Sequence, residues 1–274
     1  MIIKTLSENT SLSDSLGSEH GLSLHIETKR HRILFDTGAS DLFAENAKKM
    51  GVDLSLVDLA VISHGHYDHG GGLKAFLKAN SKARIYLRRQ AFDPHYVKRD
   101  GDVKSYIGLD KTLAENERMV FCEDCFVIDQ GLTLFSGVRG RAFIPTGNKI
   151  LLVNQGDGFV LDQFAHEQNL IIEEDGKTLL LAGCAHAGIV NILYHFKENK
   201  GSLPNIVIGG FHLYNWNDKE KEETKIIQHI GKSLLDTKAK FYTCHCTGLE
   251  PYNILKTVMG KNIEYISTGS VLNL

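Results

Sequence analysis

The sequence has little of several features that mark particular classes of protein. Its 274 residues include four prolines and one tryptophan, and we find no internal repeat, no low-complexity tract and no proline-rich linker. The 31 Lys and Arg nearly balance the 33 Asp and Glu, so the chain lacks the basic field that holds nucleic acids or anionic membranes. We therefore predict a single domain over residues 1–274 with a small-molecule partner and no nucleic-acid or membrane partner.

We also find no long apolar run and no secretion signal in this sequence. The first nine residues contain no charged segment followed by an apolar stretch, and no later run is long enough to cross a bilayer. The five cysteines are an odd and modest number, which in a reducing compartment favours free thiols or metal ligands over disulfides. We expect a cytoplasmic protein.

Short apolar runs alternate with helical patterns along most of the chain. Apolar runs predict strands at residues 22–28, 31–36, 57–63, 121–128, 132–135, 170–173, 178–182, 205–208, 239–243 and 263–266. Apolar residues at helical spacing predict helices at residues 41–50, 72–79, 189–198, 219–235 and 254–259. Strands come first and a mixture of strands and helices follows, which predicts a layered α/β protein.

The densest chemistry lies in one loop between a predicted strand and a predicted helix. Four potential metal ligands fall within six residues, namely His64, His66, Asp68 and His69. Imidazole and carboxylate groups bind zinc and other divalent first-row metals. The spacing lets the first two histidines hold one ion, while the aspartate and the last histidine turn towards a second. We therefore predict a dinuclear metal site.

Six motifs around this loop resemble those of a known family. They are residues 19–23 (EHGLS), 33–38 (ILFDTG), 63–73 (SHGHYDHGGGL), 183–191 (GCAHAGIVN), 209–213 (GGFHL) and 245–248 (HCTG). The set resembles the metallo-β-lactamase superfamily. Within it, the set is similar to the branch of the archaeal enzyme that joins a dihydropterin to a ribofuranosyl-aminobenzene phosphate. The resemblance implies an α/β (α+β) fold, a four-layer αββα sandwich with its metals at one edge of the two sheets.

The resemblance also implies the remaining ligands. His186 should complete the first set and His245 the second, and each follows a predicted strand. Two zinc ions are the expected cofactors, with manganese or iron as alternatives. Many relatives place a bridging aspartate where this chain has Gly183-Cys184, so either His186 or Cys184 takes that position and the second ion should bind more weakly. His166 is an alternative ligand.

Other residues are predicted to act beside the metals. Asp36 either accepts the second N–H of a ligand histidine or is only a turn carboxylate. Asp68 should orient the nucleophile as well as bind metal. His212 is the candidate acid or oxyanion stabiliser, with a packed histidine as the alternative. Glu19 and His20 are expected to line the pocket.

A basic segment with interleaved aromatic residues follows the metal loop. We predict an irregular capping insertion at about residues 84–150, and the resemblance places it over the site. Its candidate substrate-binding side chains are Arg88, Arg89, Tyr96 and Tyr106. They would form a lid for an anionic substrate. The alternative is a solvated surface loop.

The cysteines allow a separate structural zinc site, which we do not favour. Cys122 and Cys125 have the spacing of half a zinc knuckle, and Cys244 and Cys246 could supply the other half. In an extended chain, however, the last two thiols would point away from His245 and into the packing between the sheets. We therefore expect buried, unliganded thiols.

The leading functional hypothesis is a metal-dependent hydrolase that acts on an ester-type or phosphoester small molecule through a metal-bound hydroxide. One alternative is a transferase of the methanopterin-synthase type that uses a dihydropterin diphosphate. Another is a sensor that binds a metabolite without turnover. A redox diiron protein is disfavoured, since such relatives usually carry a carboxylate where His66 stands.

Overall fold

Two seven-stranded sheets form the framework of the computed structural model, which describes residues 1–215 and 219–274. Strands and helices are numbered along the chain. The first sheet contains β1 (Ile2–Ser7), β2 (Ser23–Glu27), β3 (Arg32–Phe35), β4 (Leu59–Val61), β5 (Arg84–Leu87), β8 (Met119–Phe121) and β20 (Val271–Asn273), in the order β20-β1-β2-β3-β4-β5-β8. The second contains β9 (Cys125–Asp129), β10 (Leu132–Ser136), β13 (Gln168–Glu174), β14 (Lys177–Leu181), β15 (Ile206–Gly209), β18 (Lys240–Thr243) and β19 (Ile263–Tyr265), in the order β19-β18-β15-β14-β13-β10-β9.

A small sheet, a hairpin and six helices complete the described part of the fold. The small sheet contains β6 (His95–Lys98), β7 (Lys104–Tyr106), β11 (Leu151–Asn154) and β12 (Phe159–Leu161), and the hairpin pairs β16 (Tyr214–Asn215) with β17 (Glu220–Lys221). The helices are α1 (Leu42–Lys49), α2 (Tyr67–Gly70), α3 (Leu73–Ala79), α4 (Ile189–Lys200), α5 (Thr224–Asp236) and α6 (Leu249–Met259). No helix of the described residues is both long enough and apolar enough to cross a membrane.

Strand alternation explains the four layers. In β14, Leu179 and Leu181 pack between the two sheets, whereas Leu180 packs under the helices on the outer face. In β3, Phe35 likewise faces the other sheet and Leu34 faces the layer of α1 and α3. Because both faces of these strands are buried, their sequences are continuously apolar. The predicted αββα sandwich is confirmed.

Parallel pairing brings the functional loops to one place. Strands β3, β4 and β5 are parallel neighbours in the first sheet, and β14, β15 and β18 are parallel neighbours in the second. The carboxyl ends of parallel strands meet at the same edge of a sheet. The predicted site residues follow β3, β4, β14, β15 and β18, so the topology gathers them at this edge.

Several predicted elements differ from the structure. Residues 121–128 are not one strand, because residues 122–124 carry the chain from β8 in the first sheet to β9 in the second. Helix α5 begins at Thr224, later than predicted, since the charged residues before it offer no apolar side chain to the core. No apolar pattern predicts the short strands β1, β5–β7, β11, β12 and β20.

The range predicted for the capping insertion overlaps the sandwich. Residues 84–150 include β5 and β8 of the first sheet and β9 and β10 of the second, which belong to the sandwich itself. The small sheet lies against the metal loop, where the Tyr67 amide donates to Ile107 O at 2.8 Å. The remaining segment, residues 137–150, is irregular apart from a single 3-10 turn.

Candidate metal centre

Asp36 connects the ends of β3 and β4 and orients His69. Its carboxylate accepts the Ser63 amide and hydroxyl, both at 2.7 Å, and it lies 2.6 Å from His69 Nδ1. All three residues are buried. Burial alone would lower the pKa of His69, but the charges of Asp36 and Asp68 outweigh it and raise that pKa. With its Nδ1–H donated to Asp36, His69 presents Nε2 to the site.

Three histidine nitrogens form a first group of donors. His64 Nε2 lies 3.1 Å from His66 Nδ1, and one nitrogen of His186 lies within 4.8 Å of both. His186 Nε2 is buried and has no hydrogen-bond partner among the described residues. Burial lowers the pKa of all three imidazoles well below the usual value, so they are neutral with free lone pairs.

This spacing fits one metal ion. Two nitrogen ligands of a tetrahedral zinc lie about 3.3 Å apart, since each Zn–N bond measures about 2.0–2.1 Å. The outer nitrogens are also held, because His64 Nδ1 lies 2.9 Å from Ser63 Oγ and His186 Nδ1 lies 2.9 Å from Asn148 Oδ1. The chain therefore has the donors and the supporting contacts for an ion here.

A second group of donors lies beside the first. His245 Nε2 is 3.2 Å from both His69 Nε2 and Asp68 Oδ2, and the latter two atoms are 3.8 Å apart. Asn9 Oδ1 holds His245 Nδ1 at 2.7 Å. Burial alone would raise the pKa of Asp68, but His69 and the hydrogen-bonded His20 and His245 lower it well below the usual range. An ionised carboxylate with two imidazoles suits a second divalent ion.

Cys184 lies between the two groups. Its Sγ is 3.1 Å from His69 Nε2, and it is within 4.8 Å of donor atoms in His64, His186 and His245. No aspartate occupies this place in the described structure. A thiolate there could bridge or complete the second group of donors.

The structure corrects the expectation for Cys246. His245 has a φ of +51°, so the chain does not continue as an extended strand and the alternation of side chains breaks. Cys246 Sγ accordingly accepts the His212 amide at 3.3 Å and lines the site cavity, whereas Cys244 points into the core between the sheets. Cys125 is exposed on β9 whereas the other three thiols are buried, and none of the candidate metal groups described here contains Cys122 or Cys125, so these contacts do not support a zinc knuckle.

A cavity of about 190 Å³ opens over the two groups. His20 and His212 line it, together with His66, Asp68, Cys184, His186 and His245. The His212 ring centroid is 4.3 Å from that of His186, and His212 Nδ1 is buried without a partner among the described residues. Glu19 does not line the cavity. Its carboxylate accepts the Ala39 amide at 3.0 Å and the Ser40 hydroxyl at 2.5 Å, so it stabilises the turn after Asp36.

The two arginines predicted for the lid lie elsewhere. Arg88 is buried, and its guanidinium donates to Cys122 O and Asp124 Oδ1, each at 2.8 Å. Arg89 stacks on the Phe121 ring at 3.9 Å. Both side chains make structural contacts with residues next to or on neighbouring strands. Their position in a basic segment of the sequence does not reveal these contacts.

The two tyrosines predicted for the lid also pack away from the cavity. Tyr96 and Tyr106 lie edge to face on the small sheet at 5.3 Å, and the Tyr106 hydroxyl donates to Leu109 O at 2.6 Å. The small sheet instead contributes Val97, Arg99 and Ile107 to the cavity wall. Arg99 is thus the cationic side chain that the described structure places there.

His166 is not part of either group, but it supports the first. Its Nδ1 accepts the amide of Gly65, between His64 and His66, at 2.8 Å. Its Nε2 therefore carries the proton, which it donates to Asp162 Oδ2 at 3.1 Å. His95 Nδ1 lies 2.9 Å from the same oxygen. One donor atom each of His66, His95, Asp162 and His166 lie within 4.8 Å of one another. Nevertheless, both ring nitrogens of His166 are engaged, since Nδ1 accepts an amide and Nε2–H donates to the carboxylate, so His166 has no lone pair left for another ion.

Sequence reasoning missed two buried carboxylates that hold the remote histidines. Glu8 accepts the His245 amide at 2.5 Å and the Tyr265 hydroxyl at 2.7 Å. Glu167 accepts the His186 amide at 2.6 Å, and burial raises the pKa of Glu167 to about 7. In a sequence, a single acidic residue next to a strand looks like an ordinary surface residue. Nothing in the local pattern shows that its partner lies far away along the chain.

The fold and the paired donor groups at its edge define an αββα protein whose described residues could hold metal ions. The sequence model of the metallo-β-lactamase superfamily matches residues 17–204, and the chain belongs to this superfamily. Most members of the superfamily are enzymes.

Full-length relatives extend the comparison. The chain is 27% identical over 287 aligned residues to the 7,8-dihydropterin-6-methyl-4-(β-D-ribofuranosyl)-aminobenzene-5'-phosphate synthase of Methanocaldococcus jannaschii, covering 98% of this chain and 95% of that protein. It superposes on Tm1679, described as a metal-dependent hydrolase of the β-lactamase superfamily, with a TM-score of 0.83 and 32% identity over 100% of this chain and 99% of that one. Zinc-bound PqqB from Methylobacterium extorquens shares the fold, with a TM-score of 0.60, 11% identity and full coverage of both chains.

Proposed function

We propose that the protein is a metal-dependent hydrolase of an ester-type or phosphoester small molecule, and that its cofactors are two zinc ions. The observation that carries the proposal is the pair of donor groups side by side beneath one cavity, His64/His66/His186 and Asp68/His69/His245. Divalent ions at such a site lower the pKa of water enough to supply a nucleophile at neutral pH, and they stabilise the charge that develops on the substrate. Imidazole donors and a neighbouring thiol favour zinc over magnesium or calcium.

The protein's own groups would orient the reaction. Asp68 has one oxygen, Oδ2, engaged by His245 and His20 at 3.2 Å each, so its carboxylate is fixed and can position the attacking water. His212 borders the cavity with an unpartnered ring nitrogen and a backbone amide held by Cys246. In its protonated form it could donate to the leaving group, and in its neutral form it could donate to a developing oxyanion.

The test begins with metal analysis of protein purified without chelator. It continues with a screen of phosphodiesters, lactones and thioesters. His64→Ala should abolish metal uptake and turnover together, whereas His229→Ala, an exposed histidine on α5, should change neither. A metal-free His64→Ala protein with full activity would contradict the proposal. Binding of a screened compound without product would favour the sensor alternative.

A transferase is the second candidate. It is favoured by the similarity to the Methanocaldococcus synthase, which extends over almost the whole of both chains. This candidate predicts that the protein consumes a dihydropterin diphosphate only when an aminobenzene acceptor is present, and that it leaves simple esters intact. Hydrolysis of esters without an acceptor would exclude it as the sole activity.

A further inference from the structure

A second, larger cavity borders the metal centre. It measures about 660 Å³, and it lies between the irregular segment 137–149 and residues 161–167. His186 lines both this cavity and the 190 Å³ cavity over the metal groups. Within the turn Thr146–Ile150, Gly147 and Ile150 face the smaller cavity, while Asn148 and Lys149 face the larger one. The two cavities are therefore neighbours whose linings share one turn and one imidazole.

The smaller cavity is below the usual size of a pocket that encloses a whole small molecule. Pockets that enclose small organic ligands usually measure about 300–1,000 Å³. A volume of 190 Å³ has room for the reacting group and little else. The larger cavity falls within the usual range and adjoins the same histidine, so it is the place for the rest of the molecule.

Its charged lining is cationic. Arg139, Arg141 and Lys149 are exposed and line the cavity, and Arg141 Nη1 donates to the backbone of Gly140 at 3.1 Å. Neither Arg139 nor Lys149 has an ion-pair partner within the described residues, so their charges are available to a ligand.

The two acids in the wall are bound by other groups and are outnumbered by the three cations. Asp162 is buried and already bound by His95 and His166, and both oxygens of Glu167 accept backbone amides. Their lone pairs point into the protein rather than to a ligand. With three cations against two carboxylates in its lining, the cavity carries a net positive charge.

The apolar part of the lining is suited to a flat group. Val138, Ile144 and Leu161 contribute aliphatic surface, and the Phe164 ring stacks on His186 at 4.3 Å with an interplanar angle of 8°. An aromatic body could extend this stack at low entropic cost. Flat apolar surface next to free cations favours a ligand with an aromatic body and an anionic end.

We infer that this cavity binds the non-reacting part of the substrate, an aromatic body that carries an anionic group recognised by Arg139, Arg141 and Lys149. The inference rests on the proposed function, because it assumes that a bond of the same molecule reacts at the metal centre. Arg139, Arg141 and Lys149 thus take the anion-binding role predicted from the sequence for Arg88 and Arg89.

The first test measures binding to the metal-loaded protein by calorimetry. The probe is naphthalene-2-sulfonate, which has an aromatic body and an anion that binds zinc poorly, and 2-naphthalenemethanol is its neutral counterpart. The sulfonate should bind the wild-type protein tighter than the alcohol does. The triple variant Arg139→Ala/Arg141→Ala/Lys149→Ala should lose roughly tenfold or more of that affinity. The matched control, Lys78→Ala/Lys225→Ala/Lys232→Ala, removes three exposed cations elsewhere and should bind as the wild type does.

Three outcomes of this test would overturn the inference. They are no binding to the wild type, equal binding to the cavity variant, and binding that survives in the cavity variant but is lost in His64→Ala. The last result would put the sulfonate on the metal centre instead. Because this test needs no turnover, a failed hydrolase screen with retained sulfonate binding would reject the proposed function and leave the cavity as an anion site.

The second test asks whether the bound anion is part of the substrate. With any substrate found in the screen, the sulfonate should raise KM and leave kcat unchanged, since the two compete for the cavity. The cavity variant should raise KM in the same way. A change in kcat alone would indicate an effector site and would overturn the substrate assignment.

Discussion

Asp36 is the residue on which the orientation of His69 depends, because its carboxylate joins the Ser63 amide and His69 Nδ1 in one buried contact. Replacing it with asparagine keeps the size but removes the charge that holds the Nδ1–H. We expect Asp36→Asn to lower the affinity for the second metal ion roughly 10- to 100-fold. The measurement is a titration against a zinc-binding dye.

A surface carboxylate provides the control for this variant. Asp58 is exposed and also accepts a strand amide, that of Arg32, at 2.8 Å. Asp58→Asn should leave metal affinity unchanged. If Asp36→Asn binds two ions as tightly as the wild type, Asp36 is only a turn residue, which was the alternative the sequence left open.

Cys184 lies between the two donor groups, and its thiol is a candidate metal ligand. Its Sγ lies 3.1 Å from His69 Nε2, close enough to share an ion with that nitrogen. We expect cobalt-substituted protein to show a sulfur-to-metal charge-transfer band in the near ultraviolet, and Cys184→Ser to abolish it. Cys125→Ser, which changes an exposed thiol on β9, should keep the band. A wild-type spectrum without the band would show that the thiol does not bind.

At the scale of an element, the metal loop between β4 and α2 is packed too closely for a side chain at Gly65. A Cβ there would lie 2.7 Å from Ala91 Cα and closer still to the Ala91 carbonyl oxygen. Since both are backbone atoms that cannot rotate away, Gly65→Ala must displace the loop that carries His64 and His66. We expect a loss of about 1–3 kcal/mol in unfolding free energy together with a loss of bound metal.

Gly51→Ala is the control that separates the loss of stability from the loss of bound metal. Gly51 has a φ of +67° and open space around it, so the substitution strains the backbone without touching the site. Thermal unfolding should show a loss of stability in both variants, and metal analysis should show a loss of metal only in Gly65→Ala. If Gly65→Ala keeps its metal, the backbone around Ala91, after β5, moves instead of the metal loop.

The elements also show how far sequence reasoning extends. The run from His64 to His69 was readable because its chemistry is contiguous, and β13 and β14 were readable because both of their faces are apolar. Edge strands such as β20 carry too few buried residues to show a pattern. The supports of the site, Glu8 and Glu167, hold partners 237 and 19 residues away, and no periodicity encodes such pairs.

The contacts of Arg88 and Arg89 were not predictable for a related reason. A basic segment in a sequence shows charge but not direction, so Arg88 and Arg89 were predicted to meet substrate, whereas the strands on either side use them. Residues 137–149, which carry the cavity's cations, have no regular pattern and lie beside the site because they connect β10 of the second sheet to β11 of the small sheet. Their position is a property of the topology.

At the scale of the whole molecule, the buried histidines make stability depend on pH. Burial lowers the pKa of His64, His66, His166 and His186, and it lowers that of His25 to about 4. Each has an ordinary value of 6.5 in the unfolded chain. Below pH 6.5 the unfolded state therefore binds protons that the folded state does not, and stability falls as the pH falls. His69 and Glu167, whose pKa values are raised, act in the opposite direction but are outnumbered.

We therefore expect chelator-treated protein to lose on the order of 3 kcal/mol of unfolding free energy between pH 7.5 and pH 5.5, measured by urea denaturation. With zinc present the loss should be larger, because protons and the metal compete for the same nitrogens. His229→Ala, which removes an exposed histidine, should give the wild-type profile. His186→Ala should flatten the profile of the chelator-treated protein, since it removes one of the groups that protonate only on unfolding. A urea midpoint that stays constant from pH 7.5 to pH 5.5 would contradict the neutral, ligand-ready state of the buried imidazoles, on which the assignment of the first donor group depends.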